Sequence, residues 1–314
     1  MHRIRKLFGE FDDPNSHIIA KQTTVIKRET INQIVSSFAG RKIKINDYDL
    51  FRKAFVHTSF AECYRRGLYT DPEMNQDEKM NINSIMNYYS QFDPMKIPTY
   101  EVLEYVGDLC INFTVGMYVY DRYPDQNQGF YTTSKIKLNR GVTLAKLSRL
   151  LNFDKYVLMS KFIYLLDDET KSSVYEDVFE SFCGALKLDQ GMEIVHDFII
   201  GLINTSFNID KLISVDDNYK NQLIPLFDKL GWGYPVYDFI SAEKLENGTN
   251  LVFSGIKVTR DMVESGVKFE TTFIYSTKTE QEEEFFTVGT GKNKITAEQE
   301  AARTAVEKIQ VSKH

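Results

Sequence analysis

The chain has 314 residues, of which 42% are hydrophobic, and a formal net charge of −6. This length suits two domains of ordinary size, and because no run of 18 apolar residues occurs, a membrane span is not expected. The acidic balance is unlike that of most nucleic-acid binders, so any such function must come from local patches.

Two features of the sequence, the N-terminus and the cysteines, indicate in which cellular compartment the protein is expected. M-H-R-I-R-K-L-F-G-E meets charged residues before an apolar core can form, so it is not expected to be a secretory signal. Cys63, Cys110 and Cys183 lie far apart and form neither a disulfide framework nor a metal-binding motif. We therefore expect a reducing intracellular compartment, either cytoplasmic or nuclear (nucleoid).

The first third of the chain divides into three predicted regions. Residues 1–29 have mixed charge and little periodicity, which predicts an N-terminal arm. Apolar residues then recur at helical spacing, most clearly within 47–60, where His57 is predicted to be a hydrogen-bonded structural histidine. Residues 67–99 are polar and rich in Asn, Met and Tyr, which predicts an insertion with a short helix at 81–90.

The stretch Y-E-V-L-E-Y-V-G-D at 100–108 begins a helix that is predicted to end near residue 122. Glu101, Glu104 and Asp108 lie on one helical face, and the residues between them are apolar, so the helix is predicted to be buried. Like charges about 4 Å apart repel by on the order of 4 kcal/mol at an effective dielectric constant near 20. A cation is therefore expected beside them, and oxygen ligands suit Mg²⁺ or Mn²⁺.

A second apolar helix, predicted over 174–191, carries Asp177 and Glu180 on one face. Each acidic helix alone also fits an ordinary amphipathic helix with its acids in solvent, but two in one domain predict a shared metal site. A bound Mg²⁺ would polarise a phosphoryl oxygen and lower the pKa of a bound water. Glycoside hydrolysis also uses paired carboxylates and is the alternative chemistry at this point.

Between the two acidic helices lies the most cationic helical part of the chain. Its basic side chains fit either a solvated helix face or a surface that contacts phosphate, and they are Lys135, Lys137, Arg140, Lys146 and Arg149.

The chain changes character near 212–217. A short helix at 218–231, several strand-like runs and an Ala/Glu-rich helix follow, which we interpret as an α-β-β-β-α domain with extra material between the strands. The turn before the last helix is predicted to bind phosphate, because backbone N–H groups and a positive helix end favour anions. Its residues are Gly289, Gly291, Lys292, Asn293 and Lys294.

In combination, these motifs resemble those of the ribonuclease III family. In family order they are A-F-V-H-T-S-F (54–60), E-V-L-E-Y-V-G-D (101–108), R-Y-P-D-Q-N-Q-G-F-Y-T-T-S-K (122–135), N-R-G-V-T-L-A-K-L (139–147) and E-D-V-F-E-S-F-C-G-A (176–185). The resemblance implies an all-α endonuclease domain and a C-terminal α+β double-stranded-RNA-binding domain. Their expected limits are 30–211, with the insertion 67–99, and 218–312, with an insertion at about 241–267.

The resemblance also implies an activity and its residues. Glu104, Asp108, Asp177 and Glu180 match the family's four metal-binding carboxylates, and Glu101 matches a supporting acid. The implied enzyme is a Mg²⁺-dependent homodimer, paired through the helix at 101–108. It would cut both strands of double-stranded RNA and leave 5′-phosphate and 3′-hydroxyl ends.

The C-terminal domain is more divergent. N-Y-K-N-Q-L-I-P resembles the family's opening RNA-binding helix, which implies Lys220 and Asn221 as RNA contacts. However, Ile224-Pro225 replaces the usual Gln-Glu, and residues 218–314 hold 12 Lys and Arg against 14 Asp and Glu, a balance of −2. Because electrostatics dominate RNA affinity, weak binding is expected.

Two alternatives remain open. The first is a catalytically inactive RNA-binding or scaffold protein of the same fold. The second is an active enzyme whose C-terminal domain mediates docking or dimerisation. A further departure lies in the endonuclease domain, where Gln128-Gly129 replaces the family's Glu-Gly, so a secondary role of that position in cutting is not expected.

Overall fold

The computed structural model describes residues 19–20, 24–67, 74–214, 218–244 and 250–311. It divides into two units, Met1–Ser214 and Val215–His314. The first unit is helical apart from two isolated bridges among its described residues, and the second combines helices with a sheet. The predicted fold class is therefore confirmed. The predicted domain and insertion limits stay predictions, and most of the arm 1–29 lies outside the described residues.

The helices of the first unit, as far as it is described, are α1 (Arg28–Ala39), α2 (Tyr48–Lys53), α3 (Thr58–Arg66), α4 (Gln76–Tyr89), α5 (Glu101–Arg122), α6 (Gln128–Leu138), α7 (Gly141–Leu150), α8 (Lys161–Leu165), α9 (Asp168–Gln190), α10 (Met192–Ser206) and α11 (Ile209–Ser214). Helix α5 spans the range predicted for the first acidic helix. Helix α9 begins six residues before the predicted 174, because the Asp167 side chain caps it by accepting a hydrogen bond from Thr170 N at 2.9 Å.

Aromatic side chains fix α9 within the core of the first unit. The fully buried Phe182 of α9 lies with its ring centroid 5.3 Å from that of Phe51, 4.7 Å from that of Phe153 and 5.6 Å from that of Phe198. Burying one such ring contributes about 2–3 kcal/mol. These contacts hold α9 against α2 and α10, so the position of its acidic face is set by core packing.

Helix α4 belongs to the predicted insertion and is longer than the 81–90 expected. Asn75 and Glu78 form a capping box at its start, which extends the helix toward the N-terminus. Tyr89 packs against Phe60 of α3 with ring centroids 5.0 Å apart, and Arg52 lies over the Tyr88 ring. The insertion is therefore docked on the helical core by its own hydrophobic cluster.

The second unit contains α12 (Tyr219–Leu230), β1 (Tyr237–Lys244), β2 (Asn250–Lys257), α13 (Arg260–Glu264), β3 (Thr272–Ser276), β4 (Gln281–Gly291) and α14 (Lys294–Val311). The strands are antiparallel in the order β1-β2-β4-β3. The sheet thus has one strand more than the predicted α-β-β-β-α order. The segment 241–267, predicted as an insertion, contains the end of β1, all of β2 and α13 in its described part.

The core of the second unit is centred on Trp232. Its ring lies 5.1 Å from Phe227 of α12 and 5.2 Å from Phe286 of β4, measured between centroids, and its Nε1–H donates to Ser265 Oγ at 2.9 Å. The indole is therefore buried with its one polar group satisfied. This core holds α12 and α14 against the sheet.

Candidate metal centre and nucleic-acid surfaces

Helices α5 and α9 cross with their backbones in contact. A Cβ added to Gly107 of α5 would lie 1.7 Å from the carbonyl oxygen of Glu180, and one added to Gly184 of α9 would lie 2.0 Å from that of Leu103. Only glycine fits at either position. This close crossing brings the acidic faces of the two helices together.

Three carboxylates meet at the crossing. Glu104 of α5 and Asp177 and Glu180 of α9 each offer an oxygen, and these oxygens lie within 4.8 Å of one another. None of the three residues is exposed. The Tyr100 hydroxyl donates to Asp177 Oδ2 at 2.9 Å, whereas the buried Glu104 Oε2 has no hydrogen-bond partner.

The electrostatics of this cluster favour proton uptake. Burial, followed by the charge of Asp177, raises the pKa of Glu104 to about 7. Burial also raises the pKa of Asp177 to about 6, against the opposing hydrogen bond from Tyr100. The pKa of Glu180 rises to about 9, through burial and then through the neighbouring carboxylates, of which Glu176 has the largest effect. A divalent cation would relieve the same repulsion.

The donor set fits a hard divalent cation. Three carboxylates offer the oxygen ligands that Mg²⁺ prefers, and the unpartnered Glu104 Oε2 is an oxygen that a metal ion would satisfy. The residues present therefore fit the metal that the family resemblance implies, while the identity of the ion stays a proposal.

Asp108 lies at the edge of the cluster and is exposed. Its Oδ1 accepts a hydrogen bond from Asn112 Nδ2 at 2.6 Å, and Asn112 Oδ1 accepts one from Asn139 Nδ2 at 3.1 Å. Asp108 still raises the pKa of Glu180, so it is electrostatically part of the same centre. Glu101 lies half-buried one turn before Glu104 and is not one of the three clustered ligands.

Glu176 was not predicted as a site residue. It precedes Asp177 and lies four residues before Glu180, so helical spacing could have indicated it. Burial, then the charges of Asp177 and Asp108, raise the pKa of Glu176 to about 7. Its carboxylate packs on Gly141, the first residue of α7, where an added Cβ would lie 2.2 Å from Oε2.

His57 has the structural role that was predicted. It is buried, caps α3 and accepts a hydrogen bond at Nδ1 from Ser59 N at 3.0 Å. Burial lowers its pKa to about 4. Gln128 is the exposed first residue of α6, after the capping residue Asn127.

Helix α5 is not buried on all sides, and that prediction was wrong. Leu103 is 2% exposed, but Val102 and Tyr105 are each 67% exposed. They begin an apolar ridge, which we define as the exposed residues Val102, Tyr105, Leu109, Phe113, Met117 and Tyr120 of α5. The spacing of three and four residues aligns them along one side of the helix, opposite the side that packs in the core.

Two of the lysines predicted to contact RNA in the second unit lie close to the same acid, Glu298. Glu298 of α14 binds Lys220 Nζ of α12 at 2.6 Å and lies 3.7 Å from Lys294 Nζ. Lys220 Nζ also lies 4.4 Å from the Tyr237 ring centroid. Asn221, the next residue of α12, is exposed. Two of the predicted cationic contacts therefore have a common counter-ion.

Gly289 and Gly291 were predicted to lie in a turn, but they lie at the end of β4 and have a packing role. A Cβ on Gly289 would lie 2.2 Å from Ala301 N, and one on Gly291 would lie 2.2 Å from Thr296 Oγ1, so both glycines let β4 approach the helix. Asn293 caps α14 by accepting from Thr296 N at 3.1 Å. The phosphate-binding role of this turn, including Lys292, stays a prediction.

Comparisons with known proteins agree with the site. A family model described as the ribonuclease III domain matches residues 101–191, which include α5 and α9. A probable ribonuclease 3 from Acanthamoeba polyphaga mimivirus is 32% identical over 216 residues, 68% of this chain and 38% of that protein. Ribonuclease 3 from Streptococcus mutans is 27% identical over 269 residues, 86% of this chain and 94% of that protein.

Among solved structures, the nuclease domain of ribonuclease III from Campylobacter jejuni is 20% identical with a TM-score of 0.40, and the match covers 60% of this chain and 97% of that one. No helix within the described ranges is both long and apolar enough to cross a membrane.

The first unit is helical, and its crossing helices α5 and α9 bring carboxylates together. The ribonuclease III domain model matches the residues of this crossing, so the class of the unit is a nuclease domain with an acidic site. The chain belongs to the ribonuclease III family, as its motifs predicted, and this places it among the endoribonucleases. It spans about 38% of the mimivirus protein but 94% of the streptococcal one.

Proposed function

We propose that the chain is a metal-dependent endoribonuclease that cuts double-stranded RNA and leaves 5′-phosphate and 3′-hydroxyl ends. Mg²⁺ is the proposed cofactor, and Mn²⁺ is a possible substitute. The observation that carries the proposal is the cluster of Glu104, Asp177 and Glu180, each of which offers an oxygen within 4.8 Å of the others. Glu104 Oε2 is also buried without a hydrogen-bond partner.

The residues of the cluster and their neighbours divide the tasks in this mechanism. Glu104, Asp177 and Glu180 would hold the cation, which when bound supplies polarisation of a phosphoryl oxygen and a water of lowered pKa. Tyr100 orients the Asp177 carboxylate through its hydroxyl. Asp108, whose Oδ1 accepts a hydrogen bond from Asn112, is exposed at the edge of the cluster and would be accessible to RNA.

Glu180→Gln tests the proposal directly. The substitution keeps the side-chain shape but removes a carboxylate ligand, so cleavage of long duplex RNA in Mg²⁺ should fall by at least about a thousandfold. RNA binding, measured by gel shift, should persist. Glu193→Gln, a change in a 79% exposed side chain on α10, removes the same charge and should cut like the parent.

Cleavage by Glu180→Gln at the parental rate would refute the site assignment. A parent that binds duplex RNA without cutting it in Mg²⁺ or Mn²⁺ would favour the inactive-scaffold alternative. The presence of the three clustered carboxylates weighs against that alternative, because an RNA-binding scaffold has no need of uncompensated acids that are largely removed from solvent.

We also propose that the chain is a homodimer paired through the apolar ridge of α5. Six exposed apolar residues along one side of a helix form a surface of the kind that marks protein–protein contacts. Phe113→Asp would place a charge at the middle of this seam and should convert the dimer to a monomer in analytical ultracentrifugation.

Leu165→Asp is the matched control for that experiment. Leu165 of α8 is 61% exposed, the same fraction as Phe113, but it lies outside the ridge. It should leave the dimer intact. A monomeric parent, or equal effects of the two substitutions, would refute pairing through the ridge.

For the second unit we propose weak binding of double-stranded RNA through Lys220, Asn221 and the turn at 289–294. The shared counter-ion Glu298 supports weak rather than strong binding, since it offsets charge that phosphate would otherwise attract. A reducing compartment also stays our proposal, supported by three buried cysteines that lie far apart in the sequence.

A further inference from the structure

Glu176 is an acid of the α5–α9 crossing that lies outside the family's four carboxylates. It is four residues before Glu180 on α9, so the two side chains emerge on the same face, about 5–6 Å apart at Cβ. Asp177 follows it directly. The crossing therefore brings together five acids of this chain: Glu104, Asp108, Glu176, Asp177 and Glu180.

The carboxylate of Glu176 has a defined seat. A Cβ on Gly141 would lie 2.2 Å from Oε2 and 2.7 Å from Oε1, so the carboxylate lies against the bare Cα of Gly141. Gly141 is the first residue of α7, and the preceding residue, Arg140, makes no side-chain capping hydrogen bond. This close packing against the first residue of α7 defines where the Glu176 carboxylate lies.

Two consequences of this seat can be separated. Glu176 could act only as an anion at the start of α7, or its fixed charge could also act on the metal centre. The second consequence is supported by position, because the seat keeps the carboxylate on the face that it shares with Glu180. Burial, and then the charge of Glu176, raise the pKa of Glu180, which agrees with the closeness of the two side chains on α9.

We infer that Glu176, held on Gly141, is a positioning residue that strengthens divalent-cation binding by the Glu104–Asp177–Glu180 cluster without being one of its ligands. This inference rests on the proposed function. In its ionised form Glu176, in a partly buried site, attracts a divalent cation and repels the neighbouring carboxylates while no cation is bound.

Glu176→Gln in the full-length chain tests the inference, because the amide keeps the shape and the acceptor but loses the charge. Mg²⁺ binding measured by calorimetry should weaken about three- to tenfold, and the Mg²⁺ concentration for half-maximal cleavage should rise by the same factor. The rate at saturating Mg²⁺ should stay within about twofold of the parent. Without Mg²⁺ the melting temperature should match or exceed that of the parent, since repulsion is relieved.

A role confined to α7 gives a different pattern. The melting temperature of Glu176→Gln would then fall equally with and without Mg²⁺, and the Mg²⁺ affinity would be unchanged. That result would overturn the inference. Glu193→Gln controls for the loss of one unit of net charge and should have parental Mg²⁺ affinity.

Gly141→Ala provides a second, independent variant. Its Cβ fills the seat and displaces the Glu176 carboxylate without changing any charge, and α7 accepts alanine at this position because the backbone is helical. Gly141→Ala should change the Mg²⁺ affinity of the parent but not that of the Glu176→Gln variant. Equal changes in both backgrounds would show that the seat does not act through Glu176.

Measurements on the parent distinguish failure of the proposed function from failure of the inference about Glu176. If it neither binds Mg²⁺ nor cuts duplex RNA, the proposed function and this inference both fall. If it does both and Glu176→Gln has the same Mg²⁺ affinity, only the inference about Glu176 falls.

Discussion

The crossing of α5 and α9 and the surface between α12 and α14 handle charge in opposite ways. At the crossing, burial and mutual repulsion raise the pKa of Glu180 to about 9. In the second unit, Glu298 binds Lys220 at 2.6 Å and lies 3.7 Å from Lys294. Uncompensated buried charge destabilises a protein until a ligand neutralises it, whereas paired charge needs no ligand. The difference locates the chemistry in the first unit and predicts weak electrostatics in the second.

The largest expected effect comes from forcing the two acidic helices apart. Gly107→Ala places a methyl group 1.7 Å from the backbone oxygen of Glu180, which cannot move as a flexible side chain can. We expect the free energy of unfolding, measured by urea denaturation, to fall by at least about 3 kcal/mol. Cleavage should be lost with it, because the ligands sit on both helices.

Gly116→Ala is the matched control on the same helix. A Cβ there would lie 3.6 Å from Lys135 Cδ, an ordinary contact, and alanine is the better helix former. It should stabilise the chain by up to about 1 kcal/mol. If the two variants unfolded at the same urea concentration, the close crossing of α5 and α9 would be wrong.

Much of this crossing could be predicted from sequence, because its signals are local. The spacing of Glu104, Asp177 and Glu180 within apolar helices indicated a shared site. The resemblance to two acidic motifs of one family indicated that both helices contribute to it. The exposed side of α5 could not be predicted, since a helix that is apolar all round does not reveal which side faces the core. Val102 and Tyr105 were therefore placed wrongly.

Contacts between residues distant in sequence could not be predicted either. Lys220 and Glu298 are 78 residues apart, so no local pattern indicates that they pair. The seat of Glu176 on Gly141 has the same origin, because it depends on how α7 packs beside α9. The strand-like runs of the second unit were recognised from the sequence, but the α-β-β-β-α order assigned to them holds three strands, whereas the sheet has four.

A prediction of intermediate size tests how burial shifts a pKa where no charge repulsion acts. At the crossing of α5 and α9, burial and repulsion shift the pKa values together. Burial alone lowers the pKa of His57 to about 4. Because the unfolded chain binds the proton more tightly, stability is present above the unfolded pKa near 6.5 and is lost as the pH falls toward 4. At pH 5 the loss should be about 2 kcal/mol, or about 1.4 kcal/mol per pH unit.

His57→Asn measures that loss. The asparagine side chain can still accept the hydrogen bond from Ser59 N and cap α3, but it does not titrate. Unfolding free energies of parent and variant should converge from pH 7.5 to pH 5 by about 2 kcal/mol. The site carboxylates titrate with the opposite sign in both proteins and cancel in the difference. Parallel pH profiles would contradict a neutral buried His57.

The smallest expected effect concerns the paired charge of the second unit. Glu298→Gln keeps the side-chain size at a position that is 8% exposed and releases Lys220 and Lys294 from their shared counter-ion. If these lysines meet phosphate, the affinity of the full-length chain for duplex RNA should rise about three- to tenfold at low salt. The gain should shrink at high salt, because screening weakens each phosphate contact.

Glu307→Gln removes the same charge from an exposed position paired with Arg303 and should change RNA affinity less. Fluorescence anisotropy at several salt concentrations would measure both variants. A lower affinity in Glu298→Gln would mean that the carboxylate orients Lys220 for RNA rather than neutralising it. An unchanged affinity at every salt concentration would remove this surface from RNA binding and favour a docking role for the second unit, since freed cations that do not strengthen RNA binding cannot lie at a phosphate interface.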